Sequence, residues 1–375
     1  MSPLTETEAN TTPCQAGEFP NGVAYFLITR RSFAFSVRRL TLGIPYLLER
    51  VAMPTAFTRW TACLALFIAT LFASGAHAAW PDMSVRLILP LAPGGAMDVL
   101  GRSLADALGA RWNVPVVVEN RAGAGGNIGA EQVARAEPDG YTLLLTGDML
   151  VANETLFKDN INYDATRSFT PISIVATAPT VIVVRSASPL QSLQDLRRLA
   201  SERVVNIGTP GFGNSNHIAL TRLQARIDGT LQHIPYKGAG PAVIGVLGGE
   251  TDAAIVALPA VTSQIESGAL RALAVVQDAR SAVVPNTPTV KQAGLDVDAG
   301  TGWFGLLAPA GTPDPIIADI QQAVNTVVSA GALHGKLSGL GFEPVGSPSA
   351  TFVERIARDV QAFPPLLKAA NVAVN

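Results

Sequence analysis

The chain has 375 residues, of which 48% are apolar and 15% are charged, and its formal net charge is −2. This composition is that of a globular protein long enough for two or more domains. The slightly acidic balance, without basic runs interleaved with aromatic residues, argues against a nucleic-acid partner.

The residues that hold metals and cofactors are sparse. Both cysteines, Cys14 and Cys63, precede the expected start of the mature chain, so they provide neither a disulfide framework nor a metal site there. The four histidines have neither HxxxH nor HExxH spacing, which zinc sites on helices use. We expect no cofactor and no metal.

A secretory signal peptide is predicted inside the chain, at residues 53–78. It has a positive segment at Arg59, an apolar run at Cys63–Phe72 that is too short to span a bilayer, and a small-x-small cleavage site ending at Ala78. Residues 1–52 fit poorly in front of it, and a start codon assigned too far upstream explains them best. The alternative is a twin-arginine motif, which Thr29–Phe33 resembles. We expect residues 1–52 to be untranslated or disordered.

The mature chain opens with a strand, a glycine turn and a helix. Val85–Leu89 predicts a buried strand and Pro90–Gly95 a turn, and apolar residues four positions apart from Leu100 onwards predict the helix. Two adjacent glycines let the backbone approach a ligand closely. The free amides of the first helical turn point into the same space, with the positive end of the helix dipole behind them. This arrangement predicts an anion site that needs no charged side chain.

Two further units complete an expected first domain. Val114–Glu119 predicts a second strand, and the glycine-dense loop Asn120–Gly129 opens the next helix. That loop lacks the GxGxxG spacing of a dinucleotide site, so we interpret it as packing of a turn against a helix. Tyr141–Leu145 predicts a third strand that ends at Thr146–Met149. The alternation predicts a parallel sheet, with ligands bound beyond the carboxyl ends of its strands.

The pattern recurs further along the chain. Ile172–Val184 is an apolar stretch broken at Ala178-Pro179, which we interpret as a crossing into a second domain. Val204–Ile207 then predicts a strand, Gly208–Asn216 a small-polar loop and His217–Ile227 a helix. Glycines for close approach and side chains that can cap the helix make this loop a second candidate anion site. Two such loops favour a cleft between two domains.

The remaining segments complete the second domain and return to the first. His233–Gly238 ends a strand, and the next helix is predicted to begin near Pro241, with proline at its first position. Leu270–Val276 predicts another strand, and Trp303–Leu307 crosses back. The last helix, opening at Ser347-Pro348, is expected to pack on the first domain.

Six segments, in order along the mature chain, carry a resemblance to a known family. They are PGGAMD (Pro93–Asp98), VENRAGAGGNIGA (Val118–Ala130), PDGYTLLL (Pro138–Leu145), HIPYKG (His233–Gly238), LRALAV (Leu270–Val275) and WFGLLAPAGTP (Trp303–Pro313). On these segments the chain resembles the periplasmic solute receptors of tripartite tricarboxylate transporters, the Bug (Bordetella uptake gene) family.

The resemblance implies an α/β fold of the type II periplasmic binding protein class, a two-domain Venus flytrap with parallel-rich sheets flanked by helices and two interdomain crossovers. Domain 1 would comprise residues 79–178 and 301–375, and domain 2 residues 179–300. We expect a periplasmic monomer that is not an enzyme. It would bind a small carboxylate mainly through backbone amides and water, and its partner would be a membrane permease or a sensor kinase.

The candidate ligand-binding residues lie on four segments. They are Ala92, Pro93, Gly94, Gly95, Ala96, Met97 and Asp98; Thr146, Gly147, Asp148 and Met149; Thr209, Gly211, Phe212, Asn214, Ser215, Asn216 and His217; and Val256 and Ala257. The amides of Gly94–Asp98 and of the Thr209–Asn216 loop are expected to hold the anion. Met97, Phe212 and Trp303 are candidates for the wall around an apolar ligand body.

Two positions depart from the family's pattern. Val256-Ala257 replaces an Asp-Asn pair that many members carry, which removes polar recognition of the far end of a ligand. Asp148 stands where small Ser or Thr residues are usual. We hypothesise that Asp148 faces the cleft and pairs with an amine or hydroxyl of the ligand. The alternative is that it only caps the following helix. An uncompensated carboxylate there would repel a di- or tricarboxylate.

The expected function is capture of a small carboxylate between two closing domains. One alternative is an orphan extracytoplasmic sensor, and another is a hydrolase or transferase on the same scaffold. The enzyme alternative lacks a GxSxG elbow, a P-loop, metal-ligand spacing and a cysteine nucleophile in the mature chain. His217 is expected to cap or pack, and Asp98 to stabilise the first helical turn.

Overall fold

The computed structural model describes residues 80–297 and 301–369. The predicted signal peptide, residues 53–78, and residues 1–52 lie outside these ranges. The described residues form two β-sheets flanked by helices. None of the helices within the described ranges combines the length and apolar character needed to cross a membrane.

The elements follow one another along the chain as strands alternating with helices, as predicted. The strands are β1 (Val85–Leu89), β2 (Val116–Asn120), β3 (Thr142–Gly147), β4 (Phe169–Ala178), β5 (Thr180–Arg185), β6 (Val205–Thr209), β7 (Leu231–Pro235), β8 (Ala253–Ala257), β9 (Leu270–Val276), β10 (Gly302–Pro309) and β11 (Glu343–Pro344). The α-helices are α1 (Ala96–Trp112), α2 (Asn127–Ala134), α3 (Met149–Leu156), α4 (Leu193–Glu202), α5 (Ser215–Gln224), α6 (Ala239–Gly248), α7 (Thr262–Glu266), α8 (Asp314–Ser329), α9 (Gly331–Gly339) and α10 (Ser349–Ala369).

The first sheet has six strands in the order β11-β4-β10-β3-β1-β2. β1 pairs in parallel with both β2 and β3, as the alternation of strands and helices predicts. β10 pairs antiparallel with β3 and β4, so the returning chain enters the middle of the sheet. This pairing sets Phe304 opposite Gly147, which puts the start of β10 at the carboxyl end of β3. We call this sheet, with α1–α3 and α8–α10, the first lobe.

The second sheet has five strands in the order β7-β6-β8-β5-β9. β6 lies parallel to β7 and β8, whereas β5 is antiparallel to β8 and β9. Thr180, the first residue of β5, pairs with Ala257, the last of β8. The crossing chain therefore enters this sheet at the carboxyl end of its parallel strands. We call this sheet, with α4–α7, the second lobe.

The cores explain why the chain forms these elements. Leu100, Leu104 and Leu108 are all buried on one face of α1, as their spacing predicts. In α10, Phe352 and Ile356 are buried in the same cluster as β-sheet residues of the first lobe. The last helix therefore packs on the first lobe, as predicted, although Val360 on the same helix is only half-buried.

Two loop predictions have different outcomes. The glycine-dense loop before α2 serves packing, as interpreted, because a Cβ on Gly129 would lie only 2.9 Å from the Cα of Pro90. The predicted start of α6 is wrong by two residues. The helix begins at Ala239 after Gly238, whose φ of 136° suits glycine, so Pro241 is its third residue.

One apolar cluster continues from the first lobe into the second. It includes Met97 of α1, Ala239 and Val243 of α6, and Val256 of β8. The two lobes are therefore packed together in a closed arrangement.

Candidate ligand-binding site

A cavity between the two lobes holds about 590 Å³ of space, its open mouth included. Its lining residues are Leu91, Ala92, Gly95, Ala96, Met97, Gly147, Asp148, Met149, Ala178, Pro210, Asn214, Ser215, Asn216, Ala239, Ala257, Gly302, Trp303 and Phe304. Most of these are apolar, and no described lysine or arginine lines the cavity.

The structure brings together part of the predicted site. The predicted residues that line the cavity are Ala92, Gly95, Ala96, Met97, Gly147, Asp148, Met149, Asn214, Ser215, Asn216 and Ala257. The predicted residues outside its lining are Pro93, Gly94, Asp98, Thr146, Thr209, Gly211, Phe212, His217 and Val256. Contact of any of them with a ligand stays a prediction.

Sequence reasoning missed Leu91, Ala178, Pro210, Ala239, Gly302 and Phe304, and considered Trp303 only as a wall. Ala178 ends β4 and pairs with Gly302, which begins β10. Both lie where the chain crosses between lobes, and crossings sit at the mouth of such a cleft. Their small size was the one available signal, since small residues permit close approach.

The N-terminus of α1 lies in the cavity wall. Gly95 is its N-cap, with extended backbone and no side chain to bond the first turn. The amides of Gly95, Ala96 and Met97 lack intrahelical partners, and they donate no hydrogen bond to any described residue. The amide of Gly94 is occupied, because it donates to Asp98 Oδ2 at 3.1 Å. Free donors therefore begin at Gly95.

Asp98 holds this turn together. Its carboxylate accepts from Arg102 Nη2 at 3.0 Å and from Asn120 Nδ2 at 3.1 Å, besides the Gly94 amide. Burial acts to raise the pKa of Asp98, but the hydrogen bonds from Arg102, Gly94 and Asn120 outweigh it, so the pKa lies below its ordinary value. The ionised side chain is fully engaged within the protein, which agrees with a structural role.

The second candidate loop, Gly208–Asn216, has some residues that line the cavity and others that are buried beneath the loop. Asn214 caps α5, as predicted, because its Oδ1 accepts from the His217 amide at 3.1 Å. Thr209 is buried beneath the loop, where its Oγ1 lies 2.7 Å from His233 Nε2. Of the first half of the loop, Pro210 lines the cavity and Thr209 lies outside the lining, so a role of the Thr209 and Gly211 amides in holding the anion stays a prediction.

Three rings support the loop from below. His217 and His233 stack with centroids 4.0 Å apart, and Phe212 meets both edge-on. Burial lowers the pKa of His217 to about 4. Burial and the neighbouring His217 lower the pKa of His233 to about 3. Both rings are therefore neutral at neutral pH, and His217 packs as expected.

Asp148 does not cap the following helix. Its backbone already has helical angles, φ −55° and ψ −22°, and its side chain makes no capping bond to α3. Instead, its Oδ2 accepts a hydrogen bond from the Ser215 amide of the second lobe at 3.1 Å. The residue is 5% exposed. Burial raises the pKa of Asp148 to about 6, opposed by its bond to Ser215.

Gly302 and Trp303 shape the same wall. A Cβ on Gly302 would overlap Ser215 Oγ and would lie 3.4 Å from Asp148 Oδ2, so only glycine leaves room for this pair. Trp303 Nε1 donates to Asp359 Oδ2 at 2.8 Å, and Arg355 Nε is 3.0 Å from the same oxygen. The indole is thereby fixed beside the cavity.

The lobes also touch on the opposite side of the cavity. The Ala92 amide donates to the carbonyl oxygen of Lys237 at 3.0 Å. A Cβ on Gly95 would lie 3.1 Å from that of Ala239. Together with Asp148 and Ser215, these contacts close the cavity from two sides.

Two α/β lobes that close over a cavity at the carboxyl ends of parallel strands define a periplasmic binding protein. A family model described as "Tripartite tricarboxylate transporter family receptor" matches residues 100–372. The chain belongs to this receptor family, which confirms the resemblance seen in the sequence.

Individual relatives agree in sequence and fold. Protein BugT of Bordetella pertussis is 36% identical over 293 residues, which cover 77% of this chain and 90% of that protein. The solved structure of the periplasmic binding protein BugD is 31% identical, with a TM-score of 0.75 over 78% of this chain and 99% of that chain. The R. palustris protein Rpa4515, solved with adipate, is 28% identical, with a TM-score of 0.75 over the same shares of the two chains. The predicted fold class is thus confirmed.

Proposed function

We propose that this protein captures a small carboxylate between its lobes and presents it to a tripartite tricarboxylate-type permease. One observation carries the proposal. The first turn of α1, with free amides at Gly95, Ala96 and Met97, lies in the wall of the cavity between the lobes, which no described lysine or arginine lines. Backbone donors backed by a helix dipole suit an anion. The adipate bound by the R. palustris relative supports the carboxylate class.

The rest of the lining suits an apolar ligand body. Met97, Met149, Trp303 and Phe304 surround the space beside the α1 N-terminus. Closure of the lobes removes water from this space, and hydrogen bonds to the anion strengthen in the lower dielectric. The carboxylate of Asp148 keeps further acceptor capacity beyond its bond to Ser215. We propose that an amine or hydroxyl of the ligand uses it.

We further propose that the protein acts in the periplasm as a monomer. The signal peptide at residues 53–78, cleaved after Ala78, would export it. Family membership supports this location and a transporter partner. A sensor kinase that reads the closed form is the alternative partner. A permease would have to recognise the two lobes in their closed arrangement.

We infer that the bound ligand is not turned over. Ser215 and Asp148 meet in the cavity, but a hydrolase would also need a base beside the serine. The nearby His217 accepts a hydrogen bond from the Gly213 amide and stacks on His233 instead. The family is one of transporter receptors and BugD is a periplasmic binding protein, which supports the same conclusion.

The test is a thermal-shift panel on protein purified from the periplasm. We expect small carboxylates to raise the melting temperature, and neutral sugars and nucleobases to leave it unchanged. Native mass spectrometry should then find the ligand bound with its mass intact after prolonged incubation. Stabilisation by sugars or bases alone would contradict the carboxylate proposal, and a changed ligand mass would contradict the absence of catalysis.

A further inference from the structure

The carboxylate of Asp148 occupies the N-terminus of α5. Ser215 is the first residue of this ten-residue helix, and its amide donates to Asp148 Oδ2 at 3.1 Å. The cap residue Asn214 already satisfies the His217 amide. The second loop therefore receives its anion from the protein itself, across the boundary between the lobes.

We propose that Asp148 stands in for the second carboxylate of a ligand, so that this receptor takes monocarboxylates and rejects dicarboxylates. The inference rests on the proposed function and names the ligand class. A dicarboxylate spanning the cavity would have one carboxylate at α1 and the other at α5. In this protein the second of these places is taken.

The two asparagines of the lining are partly engaged. Asn216 Oδ1 accepts from Thr180 Oγ1 at 3.1 Å, and Asn214 Nδ2 donates to the Gly211 carbonyl at 3.3 Å. Neither of them carries a positive charge that could compensate a second anionic group. The free amides of α1 remain as the site for one carboxylate.

The charges point in the same direction. No described lysine or arginine lines the cavity, so a second ligand carboxylate would meet Asp148 without a compensating cation. Arg355 lies behind the wall and is paired with Asp359. Like charges in a buried site repel strongly because little water screens them. A monocarboxylate leaves only one anion on each side of the cavity.

The apolar residues of the lining fit this assignment. Ala257, at the end of β8, lines the cavity with a methyl group. Met149 and Phe304 add further apolar surface. A ligand held at α1 therefore meets hydrocarbon and the Asp148 carboxylate, and no described lysine or arginine, in the rest of the lining.

The experiment measures binding by calorimetry with pairs of acids that differ in one carboxylate: butyrate and succinate, hexanoate and adipate, and benzoate and terephthalate. We expect the wild-type protein to bind the monocarboxylate of a pair at least tenfold more tightly. Asp148→Ser removes the carboxylate from the α5 N-terminus and should reduce the ratio of monocarboxylate to dicarboxylate affinity at least tenfold. Asp148→Asn removes the charge but keeps an acceptor for Ser215, and it replaces Asp148→Ser if that variant does not fold.

The control is Asp159→Ser, which removes an exposed acid of the same lobe and should keep the wild-type ratio. The R. palustris relative solved with adipate is the positive control for that ligand. This inference alone is overturned if the wild-type protein binds dicarboxylates as tightly as monocarboxylates. It is also overturned if Asp148→Ser and Asp148→Asn leave the ratio of monocarboxylate to dicarboxylate affinity unchanged. Failure of all six acids to bind any variant counts against the proposed function, and with it this inference.

Discussion

Gly240 packs so closely against Pro93 that a Cβ at position 240 would overlap the Pro93 carbonyl oxygen. The same Cβ would lie 3.1 Å from the carbonyl carbon of Gly94. These are backbone atoms of the first lobe, whereas Gly240 belongs to α6 of the second. Backbone cannot move aside as a flexible side chain can. The closed arrangement therefore depends on a missing side chain at position 240.

Gly240→Ala should hold the lobes apart. Alanine is favoured over glycine within a helix by about 1 kcal/mol, so α6 itself should remain folded. The added methyl group blocks the contact with Pro93, and ligand affinity should fall at least tenfold. Small-angle X-ray scattering should find a larger radius of gyration with carboxylate present than for the wild-type protein.

The matched control is Gly248→Ala at the other end of α6, where no atom lies within 4 Å of the added Cβ. This variant should close and bind like the wild type. If Gly240→Ala also closes and binds like the wild type, the backbone contact does not limit closure.

Asp148→Asn should stabilise the protein at pH 7 but not at pH 4. Burial raises the pKa of Asp148 to about 6, so the folded state holds its proton more tightly than the unfolded state. Ionising the buried group between pH 4 and 6 therefore costs stability, about 3 kcal/mol for a shift of about two pH units. Asparagine avoids this cost. The nearby charges are Asp359, which acts to raise the pKa, and Arg355, which acts to lower it.

Urea denaturation at pH 4, 5.5 and 7.5 measures this effect. The difference in unfolding free energy between Asp148→Asn and the wild type should grow with pH and level off above about pH 6. A constant difference across the series would mean that Asp148 titrates normally.

The stacked histidines should lower the stability of the protein as the pH falls, whereas Asp148 lowers it as the pH rises. Burial lowers the pKa of both His217 and His233, so these histidines bind protons at a higher pH in the unfolded state than in the folded state. Stability is therefore lost as the pH falls below about 6.5, by about 2 kcal/mol for each histidine at pH 5. The double variant His217→Gln/His233→Gln should lose less stability between pH 7.5 and 5 than the wild type, even if its stability at pH 7.5 is lower.

His334→Gln provides the control for this slope, because His334 lies outside the cluster and bonds the Val328 carbonyl oxygen. It should keep the wild-type loss of stability on acidification. An unchanged slope in the double variant would show that these histidines are protonated in the folded protein.

Gly305→Ala should destabilise the first lobe. A Cβ on Gly305 of β10 would overlap the ring of Phe352, a fully buried residue of α10. Overpacking of this kind costs about 1–3 kcal/mol. Gly335→Ala in α9, with open space around its Cβ, should not destabilise the protein, since alanine is favoured over glycine within a helix. Thermal melts should give a lower melting temperature for Gly305→Ala than for Gly335→Ala. Equal melting temperatures would show that α10 can shift away from the sheet.

Much of the fold could be predicted because local patterns agree with the tertiary structure. Val85–Leu89 and Leu270–Val276 form strands over the predicted residues, since each is an apolar run bounded by turn residues. The first loop and the end of β3 could be placed in one site because parallel strands share a carboxyl edge. Asn214 could be predicted as a cap from its residue type and position.

The rest of the site depends on contacts that no local pattern reports. The edge-on contacts of Phe212 with the two histidines could not be predicted, because loop composition does not say which side of a residue faces the cavity. Gly302 and Ala178 meet the cavity only because the chain returns to the first sheet after completing the second lobe. The partner of Asp148 was unpredictable for the same reason, since Ser215 lies in the other lobe.

The most direct test of the account is a crystal structure of the wild-type protein with a carboxylate that stabilises it in the thermal-shift panel. We predict that the carboxylate oxygens lie within hydrogen-bond distance of the amides at the N-terminus of α1, from Gly95 to Met97, directly or through one water. The lobes should remain closed, with Ser215 still bonded to Asp148. A carboxylate held instead by an arginine or lysine outside the cavity would contradict the account.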